Sequence, residues 1–165
     1  MIKPGAGFRE VVKETGEVNA NDVLVFLAGT NDIACNERKE LQSALRSKLR
    51  DLQSRRGGHV LVFSVPHRHD LPRWSAINKE VQRANNENFI LCKKFKNVSF
   101  VNITNIGRRF HTSNGLHLNS LGKKFVSQKI LELVHQLANT TELVLDPIPL
   151  KHNNVNHFLG HNLMK

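Results

Sequence analysis

Four consecutive residues, Gly29-Thr30-Asn31-Asp32, follow directly on the apolar run Val23–Ala28, and their types suit the handling of an anion. Glycine lets the backbone turn or approach a ligand closely, and Asn31 offers a neutral amide donor that can face developing negative charge. Far along the chain, Asn114-Gly115-Leu116-His117 supplies an imidazole, the side chain best matched to moving protons near neutral pH. Near the start, Gly5 and Gly7 precede a short helical pattern, so free backbone N–H groups stand at a turn that could receive an anion. Two donors aimed at one point make an oxyanion hole, and a nearby imidazole makes a general base for a hydroxyl nucleophile. The set lacks that nucleophile. An ordinary reading competes, because Asn31 and Asp32 are also common turn and cap residues.

The elements that must position these residues follow from periodicity. Val23–Ala28, six apolar residues with β-branched Val23 and Val25, reads as a strand buried on both faces, as a central parallel strand is. Before it, Phe8, Val11 and Val12 recur at helical spacing until Gly16. After it, Asn36 is placed to cap a helix over 37–55 whose stripe is Leu41, Ala44, Leu45, Leu49 and Leu52, ended by Gly57-Gly58. His59–Val65 is a second buried strand, stopped by Pro66, which has no N–H for the ladder. A polar loop, His67-Arg68-His69-Asp70-Leu71-Pro72, leads to a helix over 74–95 carried by Ile77, Val81, Ala84, Leu91 and Phe95. Asn85, Asn86 and Asn88 weaken the middle of that helix. Val98–Ile103 alternates as a strand near a sheet edge does, and 104–119 has no apolar period and reads as a loop. The last helix, 121–137, turns Leu121, Phe125, Val126, Ile130, Leu133, Val134 and Leu137 inward.

Strands alternating with helices, without hairpin signals, predict an α/β fold. The expected form is a three-layer α/β/α sandwich on a parallel sheet. The carboxyl ends of its strands share one edge, where ligands of such sheets bind. One domain over 1–138 and a poorly ordered C-terminal tail over 139–165 are expected. The tail's His152, His157 and His161 have no acid or cysteine beside them to support metal binding.

Composition limits the function classes. With 39% hydrophobic and 23% charged residues the chain has a globular balance, and no apolar run reaches the roughly 18 residues of a membrane span. The start, Met-Ile-Lys-Pro-Gly, does not follow the pattern of a secretory signal, so a cytoplasmic location and no membrane partner are expected. Cys35 and Cys92 fit no metal or redox spacing and read as reduced thiols. A net charge of +10 attracts polyanions, although solvated helix faces account for much of so scattered a charge.

Together these blocks resemble the SGNH or GDSL-like hydrolases. Gly29-Thr30-Asn31-Asp32 matches that family's Gly-x-Asn-Asp block, Asn114-Gly115-Leu116-His117-Leu118-Asn119 followed by Gly122 looks like its histidine block, and Lys3-Pro4-Gly5-Ala6-Gly7 is similar to its glycine block. The resemblance spans about 1–138. It implies a flavodoxin-like sheet, usually of five parallel strands, and hydrolysis of a small carboxylic ester through a serine acyl-enzyme without cofactor or metal. Carried over, Gly5 and Asn31 are the oxyanion donors and His117 the base; Gly7, Thr30, Asp32, His67 and His69 line the binding edge. The ordinary reading of His67–Asp70 is a surface loop whose Asp70 pairs with Arg68 or Arg73, and metal binding through its two imidazoles is the lesser alternative. That loop and the Gly-Leu-His-Leu-Asn ending also resemble the esterase-type domains of metazoan transposable elements and their domesticated copies.

Two departures bear on activity. No Gly-Asp-Ser precedes Gly5, and Ser64, Ser113 and Ser120 do not stand in glycine-flanked elbows. Asn114 occupies the place of the family's aspartate, and the equivalent change in serine proteases lowers kcat by about 10⁴. The expectation is therefore an N-terminally truncated, inactive esterase domain whose sheet lacks its first strand and exposes an edge open to self-association. A basic, non-catalytic module binding nucleic acid or a protein is the alternative.

Overall fold

Among the described residues, 5–55 and 57–139 of a computed structural model, three strands form one parallel sheet: Val23–Phe26 (β1), His59–Phe63 (β2) and Val98–Val101 (β3), in the order β1-β2-β3. Val25 pairs with Leu61, and Val62 with Phe100. The middle strand has the most apolar run, and its Val60 and Leu61 are completely buried. β3 lies at an edge, as its alternation predicts. β1 also lies at an edge, and here the expectation of burial on both faces needs correcting. Only its Phe26 is buried, while Val23, Leu24 and Val25 remain partly accessible and Leu27 is 46% exposed. The α/β class holds, and the sheet is incomplete relative to five strands.

Helices cover both faces. Phe8–Lys13 (α1), Thr30–Ala34 (α2), Arg38–Ser54 (α3), Ala76–Cys92 (α4) and Ser120–Asn139 (α5) alternate with the strands. Leu24, Phe26, Val60 and Val62 point toward α1, α3 and α4, where Leu41, Leu45, Leu49 and Leu52 form the expected stripe. The intervening residues Leu61, Phe63 and Val101 point the other way, against Val126 and Leu133 of α5. That split is the two-residue period of a strand feeding two helical layers. The tail expected from 139 onward lies, apart from Asn139, outside the described residues.

Three local expectations change. Asn36 does not cap α3; it adopts φ 61° just past α2, and Glu37 precedes α3 without a side-chain cap. The loop before the last helix contains a 3-10 turn at Arg108–Phe110 and a bridge between His111 and Leu118. In α5, Leu121 and Phe125 are 51% and 38% exposed rather than buried. No described helix is long and apolar enough to cross a membrane.

Candidate functional site

At the carboxyl end of β1 the chain turns through Gly29, whose φ of 118° belongs to the left-handed region. A Cβ there would stand 2.8 Å from both Leu41 Cδ1 and Val65 Cγ2, so the turn also needs the absence of a side chain. It leads straight into the single-turn α2, which the sequence reading did not foresee. Thr30 opens α2 half-buried, Asn31 is exposed, and Asp32 is buried.

The N-terminal glycines meet this turn. Asn31 Nδ2 donates to Ala6 O at 3.1 Å, and the Phe8 N–H donates to both Asp32 carboxylate oxygens, at 2.9 and 3.0 Å. Gly5 is exposed with φ 76°, and Gly7 is the N-cap of α1, where an added Cβ would stand 3.3 Å from Asp32 Oδ1. The structure thus brings Gly7, Asn31 and Asp32 together, with Gly5 exposed one residue before the Ala6 carbonyl that Asn31 binds. The anion at the start of α1 is the protein's own Asp32 carboxylate. Burial pushes the Asp32 pKa up, and the bond from Phe8 partly offsets that. Asn31 spends one amide hydrogen on Ala6 and keeps a second.

A second group forms where the β2 and β3 ends meet the last loop. The His67 N–H donates to Thr104 O, and the His69 N–H to Gly115 O at 3.0 Å. Gly115, with φ 81°, sits so close that a Cβ would lie 2.6 Å from Asp70 N. The two imidazoles diverge: His67 Nε2 meets Gln82 Oε1 at 3.1 Å, whereas His69 Nε2 meets Ile106 O at 3.0 Å. The His69 ring rests against that of His111, 4.5 Å between centroids. His111 is buried with Nδ1 on Gly107 O and Nε2 without a partner. Burial holds the His111 and His67 pKa values below the ordinary imidazole range.

His117 is exposed on this loop, its carbonyl accepting from the Thr112 N–H at 2.8 Å. Asn114 Oδ1 accepts from Thr112 Oγ1 at 2.6 Å and Leu116 N at 3.0 Å, so the side chain at the triad-acid position is engaged in shaping its own turn. The carboxylate that feels His117 is Asp70. Arg68, with Nε 3.0 Å from Asp70 Oδ1, is the main cause of Asp70's lowered pKa, and the charge of His117 adds to it. No hydrogen bond among the described residues joins Asn31 to His117. The two groups share the carboxyl edge, because Gly29 abuts Val65 of the β2 end and His67 and His69 reach the final loop.

Asn78 and Asn85 of α4 are positioning residues that periodicity concealed. Asn85, buried, accepts from Val65 N at 2.8 Å and donates to Val65 O and Thr104 Oγ1. Asn78 brackets Arg68 in the same way, accepting from its N–H and donating to its carbonyl. Polar residues on the apolar stripe of a helix were the available signal, since buried amides require partners. Ser64 is buried just beyond β2, its hydroxyl accepting from the Ile103 N–H at 2.7 Å, so it is structural.

No family model matches the chain, and no curated protein does. A solved Streptococcus pneumonia structure, provisionally named a platelet activating factor, superposes with a TM-score of 0.61. It shares 19% identity over 79% of this chain and 69% of its own. At that identity the likeness is one of fold, an α/β arrangement.

Proposed function

We propose that this chain carries the SGNH-type ester-hydrolase site without its nucleophile and is catalytically silent by itself. The observation that carries the reading is the meeting of residues 5–8 with Asn31 and Asp32, on the sheet edge that also bears the His117 loop. Such a meeting supports Gly5 and Asn31 as paired oxyanion donors, with His117 as the base. In a version of the domain with a serine, the hydroxyl would attack the ester carbonyl as His117 takes its proton. Gly5 N–H and the second Asn31 amide hydrogen would hold the oxyanion, and the alkoxide would leave with the proton returned by His117. The open edge of β1 is where the serine-bearing strand would pair. Asn114 is engaged in its own turn, and Asp70, the nearby carboxylate, is bound by Arg68.

The test is turnover of p-nitrophenyl acetate by the chain and its His117→Ala variant. Equal, background rates are expected for both. Turnover abolished by His117→Ala would overturn the silent part of the reading. A crystal structure with Asn31 and His117 on opposite sides of the molecule would overturn the esterase assignment itself.

A second reading, a nucleic-acid-binding module, has its own support. Arg109 lies over the Phe110 ring at 4.7 Å, Phe110 packs on half-exposed Phe125 at 5.2 Å, and Lys123 and Lys124 flank them. Basic side chains interleaved with accessible rings suit single strands, on which bases stack. Binding of single-stranded RNA that weakens steeply with salt and is lost in Arg109→Ala/Phe125→Ala would favour it; no binding at low salt removes it.

A further inference from the structure

The open side of β1 combines backbone unpaired among the described residues, apolar side chains and a groove of one charge sign. The His59 N–H donates to Asp22 O at 2.9 Å. In a parallel ladder alternate residues direct both backbone groups to the same neighbour, so those of Val23 and Val25 face away from β2. Nothing in Val23–Phe26 carries the charge or proline by which edge strands are usually protected. A groove of about 370 Å³ runs along this edge, walled by the end of α1 and the segment after it. Its ionisable lining is Glu14, Glu17 and Asp22, all acidic, on a chain whose net charge is +10. On the other side of the sheet Val23 and Val25 adjoin the α5 cluster only partly buried, so apolar surface is available above and below an added strand.

We propose that this edge receives an extended apolar segment of another polypeptide bearing lysine or arginine at its ends, which joins the sheet beside β1. Main-chain hydrogen bonds to Val23 and Val25 supply the pairing, alternate apolar side chains cover the two faces, and the acidic wall selects the basic flanks. A second copy of this chain fits less well, because two β1 edges brought together would face one acidic lining with another. The proposal builds on the open strand position described above but not on ester chemistry, so ester turnover and peptide binding succeed or fail separately.

The experiment uses the full chain and a fluorescein-labelled peptide, Lys-Val-Thr-Val-Thr-Val-Lys, with a counterpart ending in Glu, read by fluorescence anisotropy and by amide exchange. Saturable binding roughly tenfold tighter for the Lys-ended peptide is expected, with the Val23 and Val25 amides becoming protected. Val25→Pro should abolish binding, since it removes an outward N–H that the ladder with β2 does not use. Should that variant fail to fold, Glu17→Lys decides: it should weaken the Lys-ended peptide and strengthen the Glu-ended one. Absence of saturable binding, equal binding of both peptides, or insensitivity to Glu17→Lys overturns the proposal. So does a concentration-dependent dimer that Val25→Pro dissolves, which assigns the edge to a second copy. Protection of the Val23 and Val25 amides in the peptide-free monomer overturns it too, because the chain's own residues then cover the edge.

Discussion

Asp32 and Asn85 hold the carboxyl edge together in chemically different ways. Asp32 is 3% exposed and uses its carboxylate to accept the Phe8 N–H, fixing α1 beside the β1 turn. Asp32→Ala should cost about 1–3 kcal/mol, the penalty of leaving a buried donor unpaired. Asp32→Asn, which keeps an acceptor and removes the buried charge, should cost less. Asn85 completes three hydrogen bonds to Val65 and Thr104, and Asn85→Ala should cost about 2–4 kcal/mol because several buried groups lose partners at once. Urea unfolding with an unchanged m-value checks all three. A Asn85→Ala loss under about 0.5 kcal/mol would mean that water replaces the amide.

At the scale of elements, the start of β2 and the loops after β2 and β3 carry imidazoles whose burial favours the neutral form. Burial lowers the pKa of His59, His67 and His111 from the ordinary 6.5. The folded protein therefore binds fewer protons than the unfolded chain as these groups titrate. Their contribution is present above about 6.5 and is lost as the pH falls through the depressed folded values. Melting should accordingly occur at a lower temperature at pH 5.5 than at pH 7.5, as followed by circular dichroism. His111→Phe, which removes the ring nitrogen left without a partner, should shrink that difference. An undiminished difference would place the pH sensitivity elsewhere.

At the largest scale, and among the described residues, two helical layers on a three-strand sheet bury both faces of β2, one of them against the inner faces of α3 and α4. Cys92 lies in that packing, and burial raises its thiol pKa to about 12, whereas Cys35 is exposed beyond α2. In native protein an aromatic disulfide reagent should titrate Cys35 at once and Cys92 only on unfolding, because the thiolate is the reacting form. Rapid modification of both thiols under native conditions would mean that the α4 face opens readily. The arms of Arg38 reach Glu80 and Glu87 across α3 and α4, yet such half-exposed pairs add little. The layer is held chiefly by its leucine stripe.

Local pattern sufficed wherever one chemical property repeats along the chain. The α3 stripe, the buried run of β2, the parallel strand-helix alternation and the Gly29–Asp32 turn all follow from period and residue type, because burial selects for them at short range. Tertiary structure decided what depends on neighbours remote in sequence. The run Val23–Phe26 has the composition of a central strand, but a strand's place in a sheet depends on what pairs with it, and among the described residues β1 has one partner. Asn85 reads as a weak helix former until Val65 and Thr104 are brought beside it. Asp32 resembles a cap until the Phe8 N–H arrives from the start of the chain. Hydrogen bonds and charges act over a few ångströms of space whatever the sequence separation, so their partners emerge only once the chain has folded.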